Sequence, residues 1–258
     1  MSVITIAFST SKGGTSKTTT ATATASCLRR KGKRVLLIDL DQQRNLSLLF
    51  GAKTEPTASS LSLFLHAGLA RDIVQHTEQG DIISASKNLQ TADIAFKDKT
   101  GREYLLRNAL AGLKKDYDFI ILDCPPALGV ITVNALTASD IVVIPAEASG
   151  FSMDGTDDIY KVIERVKGSC NSKLKVGGIL LTRYDANSNF SKAMIEIAGE
   201  KARQIKTKLY KTCIRNSVKV REAQFLKQDL FSYAGKSNPA IDYENFTDEL
   251  LQDLKGGK

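Results

Sequence analysis

The segment Ser11-Lys12-Gly13-Gly14-Thr15-Ser16-Lys17-Thr18-Thr19 follows directly on the apolar, β-branched run Val3–Phe8. Strand, small-residue loop, Lys-Thr and then a helix-forming run is a construction that cradles a polyphosphate. Its glycines let backbone N–H groups turn toward anionic oxygens, its lysine faces the β- and γ-phosphates, and its Thr hydroxyl can hold Mg2+. Lys17 and Thr18 take those parts here, and Gly13, Gly14, Thr15, Ser16 and Thr19 complete the loop. The spacing departs from G-x-x-x-x-G-K-[ST] at two points. Ser16 stands where the glycine before the lysine is expected, and Lys12 adds a second cation ahead of Lys17. A small hydroxyl is tolerated at residue 16 unless the backbone there needs a positive φ.

Further apolar runs alternate with longer helical patterns. Strands are predicted near Val3–Phe8, Arg34–Ile38, Asp81–Ser84, Asp118–Leu122, Ile141–Ile144, Val176–Leu181 and Leu209–Ile214. Val35-Leu36-Leu37-Ile38 and Phe119-Ile120-Ile121-Leu122 lack polar alternation, which is the pattern of parallel strands buried on both faces. Helices are predicted over Lys17–Lys31, Arg102–Leu113, Gly129–Ala138, Gly155–Lys167, Ser188–Lys206 and Asn238–Leu254. The fold expected is a doubly wound α/β domain, a mostly parallel sheet flanked by helices, with ligands at the carboxyl ends of the strands. No repeat or low-complexity linker divides residues 1–258, so a single domain is expected. All five prolines are expected at element ends, and Gly51–Ser60 is the least structured stretch.

In a parallel sheet three segments converge. The phosphate loop follows the first strand, Asp39-Leu40-Asp41 follows the second, and Asp123 closes Phe119–Leu122. Phosphoryl transfer needs charge neutralisation, in-line geometry and a positioned nucleophile. Lys17 and Mg2+ on Thr18 supply the charge, and Asp123 suits the Mg2+ hydration shell. Asp39, nearer its strand, suits an indirect place around Mg2+, and Asp41 can reach the γ-phosphate and orient the attacking water. An ordinary Asp titrates near pH 3.9, about three units below neutrality, so positioning is favoured over full proton abstraction.

Lys12-Gly-Gly-x-x-Lys17-Thr-Thr resembles the deviant Walker A motif of the ParA/MinD family of ATPases. Arg34–Asp41 resembles its Walker A′ segment, and Phe119-Ile-Ile-Leu-Asp123-Cys-Pro-Pro its Walker B. The resemblance continues through Asn134–Pro145, Gly178–Thr182 and Tyr210–Ile214, and is nearest to the short, Soj-like partition proteins. It implies ATP with Mg2+ as cofactors and hydrolysis of ATP to ADP and phosphate. It gives Lys12 a role that spacing does not: reaching the phosphates held by a second subunit, so that a homodimer sandwiches two nucleotides. Lys12, Lys17 and Asp41 are then the catalytic candidates. Departures from the branch pattern are Ser16, Gln42 and Arg44 where Pro and Gly are usual, and Ile214-Arg215-Asn216-Ser217 in place of Ile-Pro-Arg-Asn.

The formal net charge of +8 is unevenly spread: residues 161–227 hold 16 Lys+Arg against 5 Asp+Glu. Such a block suits a polyanion. The resemblance offers two, membrane or non-specific DNA. The C-terminal stretch from Phe246 to Lys258 is acidic and thin in bulky apolar residues, so no membrane anchor is expected. DNA is expected instead, with Lys219 and Arg221 leading and Lys206, Lys208, Lys211 and Lys227 in support. The resemblance further implies a ParB-like centromere-binding partner and a cytoplasmic, nucleoid-associated protein. The loop starts so early that no N-terminal helix-turn-helix, and no operator binding, is expected. The alternatives are a MinD-like positioning ATPase at a membrane, a cargo-positioning relative, an iron–sulfur carrier and a hydrolytically dead binder. Cys27, Cys124, Cys170 and Cys213 are scattered without a C-x-x-C pair, against the iron–sulfur reading and in keeping with reduced thiols.

Overall fold

A computed structural model describes residues 3–66, 68, 70–148 and 154–256; Gly257 and Lys258 of the C-terminal stretch lie outside the described residues. The strands are β1 (Ile4–Phe8), β2 (Val35–Asp39), β3 (Gln75–Thr77), β4 (Gly80–Ile83), β5 (Phe119–Asp123), β6 (Ile141–Glu147) and β7 (Lys175–Thr182). They form one sheet in the order β3-β4-β2-β5-β1-β6-β7. Every pairing is parallel except that of β3 with β4. In register, Phe8 and Asp39 both stand beside Asp123, so the carboxyl ends of β1, β2 and β5 finish level with one another.

The helices are α1 (Lys17–Arg30), α2 (Asn45–Leu49), α3 (Ser60–Leu65), α4 (Ala92–Ala95), α5 (Leu105–Leu110), α6 (Val130–Ala138), α7 (Asp154–Ser169), α8 (Asn189–Gln204), α9 (Val218–Phe225), α10 (Leu230–Ala234) and α11 (Asn238–Gly256). Alternate strand residues serve opposite faces of the sheet. Leu36, Ile38, Ile120 and Leu122 join Leu63, Leu106, Ala135, Ile159 and Ala198 under α3 and α5–α8. Val35, Leu37, Phe119 and Ile121 join Ala21, Leu46, Phe231 and Phe246 under α1, α2, α10 and α11. The face of α1 turned inward is built of Thr20, Ala21, Ala23, Thr24 and Ala25, small enough for the helix to lie close on the sheet.

The predicted strand over Leu209–Ile214 is not one. Leu209 makes an isolated bridge to Ile179, and the Tyr210 and Ile214 amides donate to Ile179 and Leu181. Between them, the Lys211 and Thr212 amides turn to the Glu249 carboxylate at 3.0 and 3.3 Å, which draws them out of a ladder. The helix predicted over Arg102–Leu113 is broken into 3-10 turns at Arg102–Tyr104 and Ala111–Leu113 around α5. Strand β3 was not expected, because Gln75-His76-Thr77 has no apolar alternation. Helices α2, α3, α4 and α10 were not expected either, and α3 begins within what reads as the least structured stretch.

Pro145 lies inside β6 rather than at an element end. The Val143 carbonyl accepts from Ser9 on the β1 side, and Pro145, two residues on, turns its ring nitrogen the same way. A ladder carried past Val143 would need the residue-145 amide to donate to the Ser9 carbonyl; Pro145 has no proton to give, and the β1–β6 pairing stops at Val143.

Candidate functional site

The cleft that the loop and carboxylates share has a volume of about 590 Å³ and is walled by Gly13, Gly14, Ser16–Thr19, Asp41, Pro126, Arg183, Gln224 and Lys227 among others. A larger hollow of about 1090 Å³ lies beside it, between α1, the β3–β4 hairpin and α10. The smaller one is the candidate site because the phosphate loop and Asp41 face it.

The loop backbone answers the question raised by Ser16. Gly14 has φ of 79° and Ser16 φ of 64°, both left-handed. Ser16 therefore holds the conformation a glycine adopts without strain, and its side chain makes no capping bond to α1. Arg44, the other departure from glycine, repeats this with φ of 60° and ties its guanidinium to Thr54 Oγ1 at 3.1 Å. The glycine geometry persists at both positions without the glycine.

Lys17 is 7 % exposed, and its ammonium donates to the Lys12 carbonyl at 3.0 Å. Burial lowers its pKa, opposed by the charges of Asp123 and Asp41. Thr15 donates to the same carbonyl, so residue 12 is a corner of the loop. The Lys12 side chain is not among the cleft walls of its own subunit. Its stem lies against α7, where a Cβ on Gly155 would meet Lys12 Cβ and Ser11 Oγ, each at 3.2 Å. The absence of a side chain at residue 155 is what lets α7 come this near.

Asp123 is fully buried. Its Oδ2 accepts from Thr18 Oγ1 at 2.7 Å, while Oδ1 has no hydrogen-bond partner among the described residues. Burial, then the neighbouring Asp39 charge, push its pKa up to about 8. A buried acceptor without a donor, beside the hydroxyl of a phosphate loop, is what a hydrated Mg2+ would satisfy. The residues therefore fit that ion: Thr18 would bind it directly and Asp123 would hold its water.

Asp39 is equally buried but is not a wall of the cleft. Its Oδ1 accepts the Asp41 amide at 3.0 Å, and its Oδ2 accepts the Ser47 amide and hydroxyl at 2.9 and 2.6 Å. Burial pushes its pKa up to about 6 against those three hydrogen bonds. Through these bonds Asp39 holds the turn that carries Asp41 and anchors α2. Asp41 itself faces the cleft, with Oδ1 accepting the Gln43 amide at 2.9 Å.

Known proteins resemble this chain along most of its length. A family model described as an AAA domain matches residues 3–176. The sporulation initiation inhibitor protein Soj of Bacillus subtilis is 36% identical over 248 residues, 95% of this chain and 97% of that protein. The chromosome partitioning protein ParA of Caulobacter vibrioides is 34% identical over 251 residues, 95% and 93% of the two chains. The chain belongs to the ParA/MinD family of deviant Walker A ATPases. Its ATPase class and its ATP–Mg2+ cofactor pair are those of that family, and its relatives place it on the ParA-like partition branch. Among solved structures, cobyrinic acid a,c-diamide synthase from Mycobacterium smegmatis with bound ADP and magnesium superposes with a TM-score of 0.86. It shares 30% identity and covers 99% of this chain and 97% of its own.

The basic residues are dispersed in role. Lys208 is spent on Glu249 at 3.3 Å and Asp253 at 2.6 Å, and Lys219 on Glu222 at 2.9 Å. Arg215 is pinned by two-point contact to Asp242, its Nη2 to Oδ1 at 2.7 Å and Nε to Oδ2 at 2.9 Å. Lys206, Lys211 and Arg221 are exposed and make no ion pair among the described residues. Lys227, read from sequence as a DNA contact, walls the nucleotide cleft.

Sequence reasoning missed Ser47, Gln224 and Arg183. Gln224 Nε2 donates to Thr19 Oγ1 at 2.8 Å, bringing α9 to the loop across 205 residues of chain. Beyond Gln224 the cleft continues into a hollow of about 390 Å³ bounded by Arg183, Arg215–Ser217 and Arg221. Nothing local in sequence marks Gln224 or Arg183. Ser47 would have followed from recognising α2 behind the second strand.

Proposed function

We propose that this protein is a ParA-like DNA-partition ATPase whose ATP-bound homodimer holds DNA without sequence preference. On this reading hydrolysis, stimulated by a ParB-like partner on the cargo, releases it. The single observation that carries the reading is the pair of lysines in one loop, with Lys17 turned into its own cleft and Lys12 at a corner outside it. A second cation that reaches a nucleotide only on assembly couples charge neutralisation to oligomeric state.

The chain's residues supply the rest of the chemistry. Lys17 and the loop amides bind the β- and γ-phosphates, and Thr18 and Asp123 hold Mg2+. When bound, that ion neutralises charge on the phosphates and on the group that leaves. Asp41, steadied by Asp39 and Ser47, orients the attacking water. The 390 Å³ hollow past Gln224 suits the nucleoside end of the substrate.

DNA is favoured over membrane by the use made of the C-terminal helix. Tyr243, Phe246 and Leu250 of α11 are buried in the core, and Asp242 and Glu249 hold Arg215 and the Lys211–Thr212 turn. Its apolar face is committed. Among the described residues no helix is long and apolar enough to cross a membrane. The exposed cations offered to DNA are Lys206, Lys211 and Arg221, with Lys219 partly offset by Glu222. Lys208 is dropped, its charge being neutralised. A nucleoid-associated location is proposed on the same ground.

The test is co-sedimentation with non-specific DNA and with anionic liposomes, each with ATP, ADP or no nucleotide. DNA pelleting that requires ATP and weakens steeply with salt is expected. Pelleting with liposomes alone would replace this reading with the MinD-like one.

A further inference from the structure

Helix α9 carries Lys219 and Arg221 but is lightly held. Ala223 is its one buried residue, while Val218 is 52% and Phe225 86% exposed. Among the described residues, two side-chain hydrogen bonds tie α9 to other elements. Glu222 Oε2 accepts from Tyr233 of α10 at 2.8 Å, and Gln224 Nε2 donates to Thr19 Oγ1 at 2.8 Å. Only the second reaches the phosphate loop. Thr19 adjoins Thr18, whose hydroxyl meets Asp123, and both threonines wall the cleft.

We propose that Gln224 is a positioning residue that carries phosphate occupancy of the loop, through Thr19, to helix α9. A hydroxyl has one proton and two lone pairs. The Gln224 amide fills one lone pair, which leaves the Thr19 proton to be given elsewhere. With a phosphate oxygen in the cleft, Thr19 donates to it while accepting from Gln224, and a donor chain ending on an anion strengthens at each link. When the phosphate leaves, the tie falls back to a bond between two neutral side chains. Gln224 is also shared between the cleft and the hollow that Val220 and Arg221 bound, so α9 is a movable wall of the nucleotide site. Nucleotide thereby fixes the helix that presents Lys219 and Arg221. The consequence for DNA rests on the partition reading above; the coupling itself does not.

The chain has no Trp, so Phe225→Trp, beside Gln224 on the exposed side of α9, makes a unique reporter. At saturating Mg2+ and ATP its emission and anisotropy are expected to change, and adding Gln224→Leu should remove at least half of that change. Gln224→Glu keeps the size but accepts where Gln224 donates, and so draws the Thr19 proton away from phosphate. It should lose the response too, whereas a packing role would be restored by it. Binding of a fluorescent ATP analogue by each variant establishes that the site is filled. The proposal is overturned if the reporter is silent with nucleotide bound, if Gln224→Leu responds fully, or if Gln224→Glu restores the response. In parallel, the ratio of DNA affinities with ATP and ADP should fall about threefold to tenfold in Gln224→Leu. A parent protein that binds no DNA with any nucleotide would sink the partition reading, while the fluorescence still decides the coupling.

Discussion

Replacing Ser16 by glycine should make the protein more stable. Ser16 has φ of 64° and ψ of 24° and gains no capping bond from its hydroxyl. The left-handed conformation costs an L-residue roughly 1–2 kcal/mol. Glycine escapes that cost but adds about 0.4–1 kcal/mol of chain entropy to the unfolded state. The difference favours Ser16→Gly by about 0.5–1 kcal/mol, which for a domain of this size is a rise in Tm of about 1–4 °C. Ser16→Ala keeps the strained backbone and removes only the hydroxyl, so its Tm should stay within about 1 °C of the parent. Scanning calorimetry of the three nucleotide-free proteins gives the answer. If glycine lowers Tm while alanine does so equally, the hydroxyl rather than the backbone governs this position, and the reasoning from φ is wrong.

Asp123→Asn should fold with stability within about 1 kcal/mol of the parent at neutral pH, since burial disfavours the charge that the substitution removes. It should nevertheless raise the Mg2+ needed for phosphate release about 10- to 100-fold, and an unchanged Mg2+ titration would remove Asp123 from the metal site. The same raised values set a pH dependence. Burial pushes Asp123 up to about 8 and Asp39 up to about 6, above the ordinary carboxyl near 3.9, so the folded chain binds more protons than the unfolded one across that window. Nucleotide-free stability should fall as pH rises from about 4 to 8, and a urea midpoint that climbs instead would contradict this. Asp242→Ala leaves the Arg215 guanidinium and backbone amide without their acceptor, and should cost about 1.5–3 kcal/mol by urea unfolding. A loss below about 0.5 kcal/mol would mean the pair is only a surface contact.

What the sequence made legible was local. Val35–Ile38 and Phe119–Leu122 are apolar at every position because both faces of the sheet are covered, and each run leads straight to its aspartate. The phosphate loop could be read because Gly13, Gly14, Lys17 and Thr18 act through neighbouring backbone. The rest depends on contacts between distant segments. Glu249 unmakes a strand at Lys211–Thr212 from 38 and 37 residues away, and no local pattern in Leu209–Ile214 announces it. Sequence separates Asp39 from Asp41 only by distance from the strand. That Ser47 fills Asp39 Oδ2 through its amide and hydroxyl, and that the turn faces Asp41 into the cleft, depends on packing behind the second strand. The charge count of the basic block was right, but Lys208 and Arg215 face acidic partners on α11 that charge counting along one segment does not see.

Mass in solution reports whether Lys12 serves a partner's nucleotide. Sedimentation velocity of the parent and of Lys12→Ala, each with Mg2+ and a slowly hydrolysed ATP analogue, compares species of 28.1 kDa and twice that mass. The parent should move to the doubled mass, while Lys12→Ala should bind the analogue and remain at the single mass. A Lys12→Ala protein that dimerises as the parent does would contradict the assignment of that lysine to a partner's nucleotide, and with it the ATP-controlled switch.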